Sequence, residues 1–146
     1  MNEDIITAAL EWEGTPYHNH ARVKQVGVDC AQLCVGIALQ CNRITDVQLQ
    51  SIPNYSPEWH LHNREEKLIE QLESFNCRRV DSSNTIPGCI VCFRFGRATS
   101  HLGVMVNETQ FIHARVDVGK VVINTMNEEW AKRWTFTYEF PGVINV

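Results

Sequence analysis

The feature that most constrains the fold is a change of hydrophobic period near residue 87. Before this point, apolar residues recur at helical spacing in residues 4–13, 28–39 and 63–75. After it come short runs rich in β-branched and aromatic residues, separated by turn residues: CIVCFRF, HLGVMV, QFIHARV, KVVINT and WTFTYEF. Helices followed by an antiparallel sheet predict an α+β fold, with N-terminal helices packed on a C-terminal sheet.

Length and composition predict one globular domain that covers residues 1–146. A chain of 146 residues can bury roughly two-thirds of its unfolded surface, so it needs neither a disulfide nor a metal for stability. Residues 42–64 contain two prolines and several amides, and we expect them to form a long loop of the kind that often carries recognition. The net charge of −4, without a basic stripe, argues against a nucleic-acid partner. The sequence also lacks the run of about 18 apolar residues that a membrane span needs.

The N-terminus and the cysteines indicate an intracellular, reduced protein as synthesised. The opening residues MNEDIITAALEWEG have neither the basic start nor the apolar run of a signal peptide, so we expect the chain to be cytoplasmic as synthesised. The six cysteines, several of them inside apolar runs, predict free thiols rather than a disulfide scaffold. Cys89 and Cys92 form a single Cys-x-x-Cys without a second pair, which is a weak metal signal. The histidine pairs at 18 and 20 and at 60 and 62 lie in polar segments and are interpreted as exposed loop residues.

Cys30 is the first candidate for chemistry, because it stands where the second predicted helix begins. Asp29 is placed to cap that helix. The unpaired N–H groups and the dipole of a helix start favour a thiolate, and the same N–H groups can stabilise an oxyanion. For this segment taken alone, a buried structural thiol is the favoured interpretation.

Two histidines in otherwise apolar strands complete a possible catalytic set. They occur in SHLGV, residues 100–104, and FIHA, residues 111–114, on either side of a predicted turn. Pairing the strands about that turn would bring His101 and His113 together across the sheet. A nucleophile, a base and an orienting group are then present. We expect both histidines to face the helix, with the Cys30 sulfur within about 4 Å of a His101 ring nitrogen.

The order of five short segments resembles that of the NlpC family of cell-wall cysteine peptidases over nearly the whole chain. The segments are GTPY at 14–17, GVDC at 27–30, PG at 87–88, SHLGV at 100–104 and FIHA at 111–114. The resemblance implies a papain-like core in which Cys30 is the nucleophile, His101 the general acid and base, and His113 the residue that orients His101. It implies that Tyr17 borders the nucleophile and helps to bind the substrate or the oxyanion, a role also assigned to Asp29. It implies no metal and no organic cofactor.

Family substrates are the peptide stems of peptidoglycan, commonly cut after a γ-linked D-glutamate, so the resemblance implies a peptidoglycan endopeptidase. The segment NYSPEW at 54–59, together with the residues that lead from Ala21 to Gly27, resembles more narrowly the stand-alone members encoded with phage tail genes. That likeness implies phage tail proteins as partners and a tail-associated or virion location.

Two departures from the family pattern leave the specificity open: Ala31 and Gln32 replace a Ser-Gly pair, and Cys89 replaces an aspartate. Two alternative functions also stay open. One is a Cys-His amidase or acyltransferase that acts on another acyl group, and the other is a catalytically silent tail-assembly protein with the same fold.

Overall fold

The computed structural model describes residues 2–45, 67–81 and 83–144, and it confirms the α+β fold. The helices are α1 (Glu3–Leu10), α2 (Cys30–Gln40), α3 (Lys67–Ser74) and α4 (Glu128–Arg133). The strands are β1 (Arg22–Val23), β2 (Gly27–Val28), β3 (Arg78–Val80), β4 (Ile90–Phe95), β5 (Ala98–Met105), β6 (Gln110–Arg115), β7 (Lys120–Thr125) and β8 (Trp134–Glu139). The last six strands form one antiparallel sheet in the order β3-β8-β4-β5-β6-β7.

Helix α2 is the element on which the sheet packs. Asp29 caps it as predicted, because its Oδ1 accepts a hydrogen bond of 2.8 Å from the Gln32 N–H. Helix α1 packs on α2, and a Cβ at Gly36 would lie 2.5 Å from the Trp12 ring, so this helix contact requires a glycine. Residues of α2 such as Leu33 and Ile37 are fully buried in the main core.

The sheet has two faces of different composition, since side chains alternate along each strand. The helix-side face belongs to the main core with α1 and α2, and it comprises Ile90, Cys92, Leu102, Val104, Ile112 and Ala114. The aromatic face comprises Val91, Phe93, Met105 and Phe111, covered by Phe95, Met126, Trp130 and Trp134. This alternation decides where each histidine of the sheet lies.

Five elements differ from the sequence prediction. Helix α1 ends at Leu10 rather than at residue 13, because residues 11–14 form a turn. Strand β3, helix α4 and the short β1–β2 pair were not predicted, since two or three strand residues or a six-residue helix are too short to show a period.

Most of the predicted recognition loop, the segment NYSPEW and the first residues of the third predicted helix lie outside the described residues. Among the helices that are described, none has the length and apolar character needed to cross a bilayer.

Candidate active site

Cys30 opens α2 and places its sulfur at an edge of β5. The partly buried thiol donates a long hydrogen bond of 3.9 Å to the Ser100 carbonyl oxygen, and the backbone N–H of Leu102 also faces the sulfur. Cys30 can approach this edge because β6 pairs with β5 only at Val104 and Met105 and leaves the backbone around residue 101 unpaired on that side. The sulfur therefore approaches the backbone on both sides of residue 101.

The surroundings of Cys30 favour the thiol over the thiolate. Burial, followed by the nearby charge of Asp29, raises the pKa of the thiol to about 12. The N–H groups of Leu102, Ala31 and Cys30 act in the opposite direction and lower that pKa. The expected donors at the helix start are thus present, but desolvation outweighs them. Attack by this sulfur requires a base to remove its proton.

His101 and His113 are joined by a hydrogen bond of 2.6 Å between His101 Nε2 and His113 Nδ1. The register of β5 and β6 places Met105 opposite Phe111, so that His113 lies diagonally across from His101. A Cβ at Gly103 of β5 would lie 2.8 Å from the Phe111 ring and 3.5 Å from the His113 Cβ, so β6 packs closely against this position. The predicted proximity of the two histidines is present.

Both histidines are held neutral. Burial lowers the pKa of the fully buried His113 to about 4, and the hydrogen bond that its Nε2 makes to the Asn124 carbonyl oxygen acts in the opposite direction. Burial also lowers the pKa of His101 well below its ordinary value, and the neighbouring His113 and Arg115 lower it further. A neutral imidazole beside a protonated thiol is a base in its working form.

The expectation that both histidines face the helix is wrong. Their rings lie on the aromatic face, because His101 pairs with Phe93 and His113 follows Phe111 at a two-residue interval. Cys30 lies on the helix side, and its sulfur approaches the histidines past the edge of β5 rather than through the core. No hydrogen bond joins Cys30 Sγ to the His101 ring within the described residues, so an approach within about 4 Å stays a prediction.

Trp130 on α4 packs against the rings of both histidines. Its partly exposed ring lies 6.0 Å from the His101 ring, tilted by 32°, and 5.0 Å from the His113 ring, at 90°. The link between Trp130 and the histidines was not predicted from the sequence, because α4 was not predicted.

Asn124 on β7 was also missed, and its Oδ1 lies 2.6 Å from His113 Nε2. Asn124 pairs with Phe111, which puts it diagonal to His113. The one available signal was a polar residue directly after the apolar residues VVI at 121–123, and such residues are common in edge strands.

Tyr17 borders Cys30. Its backbone N–H bonds to Gly119 O at 2.8 Å, and it bridges to Val28, two residues before Cys30. Burial raises the pKa of the Tyr17 hydroxyl, and the nearby Cys30 and Asp29 raise it further. The phenol is a neutral donor beside the thiol, which suits the predicted role in binding a substrate or an oxyanion.

Asp29 is engaged in structure through both carboxylate oxygens. Besides capping α2, it accepts 2.7 Å from the His20 N–H through Oδ2, and only 8% of the residue is exposed. These bonds tie the loop that precedes β1 to the start of α2. Its assigned part in substrate or oxyanion binding stays a prediction.

The other candidates of the sequence lie apart from this site. His18 and His20 are exposed, Cys89 and Cys92 are buried, and His60 and His62 fall outside the described residues. Over residues 2–45, 67–81 and 83–144, no group of three or more His, Cys, Asp or Glu side chains is arranged to hold a metal ion. An apolar pocket between α2 and α3 has walls from Ala31, Cys34 and Leu102, but neither Cys30 nor either histidine lines it.

Comparison with known proteins gives the family of the chain. A sequence model of the NlpC/P60 family matches residues 12–139. The murein DD-endopeptidase MepS/murein LD-carboxypeptidase of Escherichia coli K12 is 40% identical over 58 residues, which are 39% of this chain and 30% of that protein. The alignment thus spans under a third of the curated relative.

Solved structures show the same papain-like fold. The NlpC/p60 domain of the peptidoglycan hydrolase SagA has a TM-score of 0.61 at 17% identity, with 96% of this chain and 99% of that chain covered. An NlpC/P60 family protein from Bacillus cereus ATCC 10987 has a TM-score of 0.66 at 18% identity, with 97% and 41% covered. Members of the family, including a murein DD-endopeptidase, are cysteine peptidases that act on peptidoglycan. The chain belongs to the NlpC/P60 family.

Proposed function

We propose that this chain is a peptidoglycan endopeptidase with Cys30 as nucleophile, His101 as acid and base, and His113 as the residue that orients His101. The observation that carries the proposal is the 2.6 Å bond between the two histidines beside a thiol at a helix start. Membership of the NlpC/P60 family supports the reaction class and the substrate class.

The first step follows from the protonation states. The Cys30 thiol carries its proton at rest, and both histidines are neutral. His101 removes the thiol proton as the sulfur attacks the carbonyl carbon of the substrate, so a C–S bond forms and the carbonyl π pair moves to oxygen. His113 Nδ1 accepts a hydrogen bond from the Nε2–H of the His101 imidazolium and stabilises its charge.

The remaining steps use the same groups. The N–H groups of Cys30 and Ala31, with the Tyr17 hydroxyl, are available to donate to the oxyanion. The C–N bond then breaks as His101 gives its proton to the leaving amine, which leaves a thioester on Cys30. Water, deprotonated by His101, cleaves the thioester and restores the thiol.

The substrate is proposed to be a peptide stem of peptidoglycan, cut within the peptide. The family supports this class, and the name of the Escherichia coli relative records DD-endopeptidase and LD-carboxypeptidase activities for that protein. Association with phage tail proteins, and hence a tail-associated location, is a further part of the proposal. It is supported only by the resemblance of residues 54–59 and of the residues from Ala21 to Gly27.

Defined muropeptides test the function. We expect wild-type protein to give two fragments whose masses sum to the substrate plus one water, and Cys30→Ala to leave the substrate intact. An acyl-transfer product without added water would indicate the acyltransferase alternative. Intact muropeptides after incubation with folded wild-type protein would indicate a silent domain and defeat the proposal.

A further inference from the structure

The hydrogen bonds that begin at His101 continue beyond His113. His113 Nε2 lies 2.6 Å from Asn124 Oδ1, and Arg115 Nη1 donates to the same oxygen at 3.4 Å. Arg115 is fixed in turn by an ion pair with Asp117, in which Nε lies 2.9 Å from Oδ1. A continuous series of hydrogen bonds thus connects the proposed base to four further side chains, those of His113, Asn124, Arg115 and Asp117.

The orientation of the Asn124 amide is determined by Arg115. A guanidinium has only donors, so it meets the amide oxygen and not the amide NH₂ group. That oxygen also faces His113 Nε2, which must therefore carry a proton to make the 2.6 Å bond.

One assignment fixes the next. A neutral imidazole has one N–H, so protonation at Nε2 leaves His113 Nδ1 as an acceptor. The 2.6 Å contact with His101 then requires the proton on His101 Nε2. Within this chain of hydrogen bonds, His101 Nδ1 is then the one ring nitrogen that neither carries a proton nor accepts a hydrogen bond. It is therefore the atom able to take a proton.

We propose that Asn124 is a positioning residue that sets the tautomers of both histidines, so that His101 Nδ1 is the base for the Cys30 thiol. The inference rests on the proposed function. Without the Asn124 acceptor, His113 can carry its proton on Nδ1 and donate a hydrogen bond from there to His101 Nε2. His101 Nε2 is then an acceptor, so the single proton of the neutral His101 ring lies on Nδ1. The nitrogen that should act as the base is then already protonated. In a well-studied serine protease, a wrong histidine tautomer lowers turnover by about 10⁴-fold.

Asn124→Leu removes the acceptor at similar volume, and Asn124→Asp retains an acceptor that also pairs with Arg115. Thr125→Val, on the exposed next residue of β7, is the matched control. We expect Asn124→Leu to lower kcat on a muropeptide by about tenfold to a hundredfold with a smaller change in KM. Asn124→Asp and the control should retain most of kcat.

Nitrogen-15 NMR of the histidine rings separates this effect from a structural one. We expect wild type and Asn124→Asp to carry protons on Nε2 of both histidines, and Asn124→Leu to shift His113 toward Nδ1–H. Wild-type His113 protonated on Nδ1 would overturn the inference whether or not any variant folds. Unchanged tautomers or unchanged kcat in folded Asn124→Leu would also overturn it. The wild-type spectrum decides the tautomers even if Cys30→Ala proves active and the proposed function fails.

Discussion

The two faces of the sheet are built from alternate residues of the same strands, yet they are organised differently. The helix-side face is aliphatic around Leu102 and Ile112 and buries α2. The aromatic face encloses His101 and His113, whose polar atoms are paired with each other and with Asn124. Neighbouring residues of one strand therefore belong to the packed core on one side and to the proposed catalytic site on the other. Cys30 joins the two, since it belongs to the packed helix and reaches the strand edge.

The largest effect is expected at Cys30. Cys30→Ala and Cys30→Ser should lower wall hydrolysis by about 10⁴-fold or more while the melting temperature changes little, because the role is chemical. Cys34→Ala, one turn later and buried in the core, is the control. It should lower the free energy of unfolding by about 1 kcal/mol and leave turnover intact. Hydrolysis by both Cys30 variants would show that Cys30 is not the nucleophile.

The neighbours His101 and Leu102 give the sharpest contrast between the faces. His101→Ala should lower kcat by about 10³-fold or more, because no base remains. Leu102→Ala, where the side chain is 2% exposed, should instead lower the free energy of unfolding by about 2–5 kcal/mol. Its turnover per folded molecule should stay near wild type. Equal loss of kcat in both variants, measured on folded fractions, would show that the faces are not functionally separate.

The buried His113 makes stability depend on pH. Its pKa falls from 6.5 to about 4 on folding, so the unfolded chain binds more protons between these values. The stabilising effect of neutral burial is present above about pH 6.5 and is lost as pH falls through 4. The loss is at most about 3 kcal/mol. Urea unfolding should show that wild type loses more stability than His113→Gln over this window.

The exposed His18→Gln is the matched control for that measurement and should follow the wild-type curve. Parallel curves for wild type and His113→Gln would mean that His113 is not buried in its neutral form.

The smallest effect is expected at Trp130, which shields the histidines without bonding to them. Trp130→Leu should admit water, raise the pKa of His101 toward its ordinary value and lower kcat by about tenfold. Since His101 must be neutral to act, activity is lost as pH falls through its pKa. The acid limb of the pH–rate profile should therefore move to higher pH in the variant.

Trp134→Leu controls for the aromatic packing, because Trp134 covers the same cluster but makes no ring contact with either histidine among the described residues. The idea fails if the acid limb moves equally in both variants.

Much of this arrangement could be predicted from the sequence, and the rest could not for physical reasons. The strand periods and the Asp29 cap gave the α+β order, and a turn between two histidine-bearing strands predicted the contact of His101 with His113. The face that they occupy was missed, because period alone does not tell which side of a strand meets the helix. The N–H groups that favour a Cys30 thiolate were predicted from the helix start, but the burial that outweighs them was not, since desolvation depends on packing. Trp130 and Asn124 become partners of the site only through tertiary contacts.

The most direct test of the central claim is to trap the covalent intermediate. Wild-type protein is mixed with a muropeptide, quenched with acid within one turnover, digested and mapped by mass spectrometry. We expect the peptide that contains Cys30 to gain the mass of the acyl fragment through a thioester, and no other cysteine to be modified. Muropeptide cleavage in the same sample with the acyl group on another residue, or with Cys30 still labelled fully by a thiol reagent throughout turnover, would contradict the account.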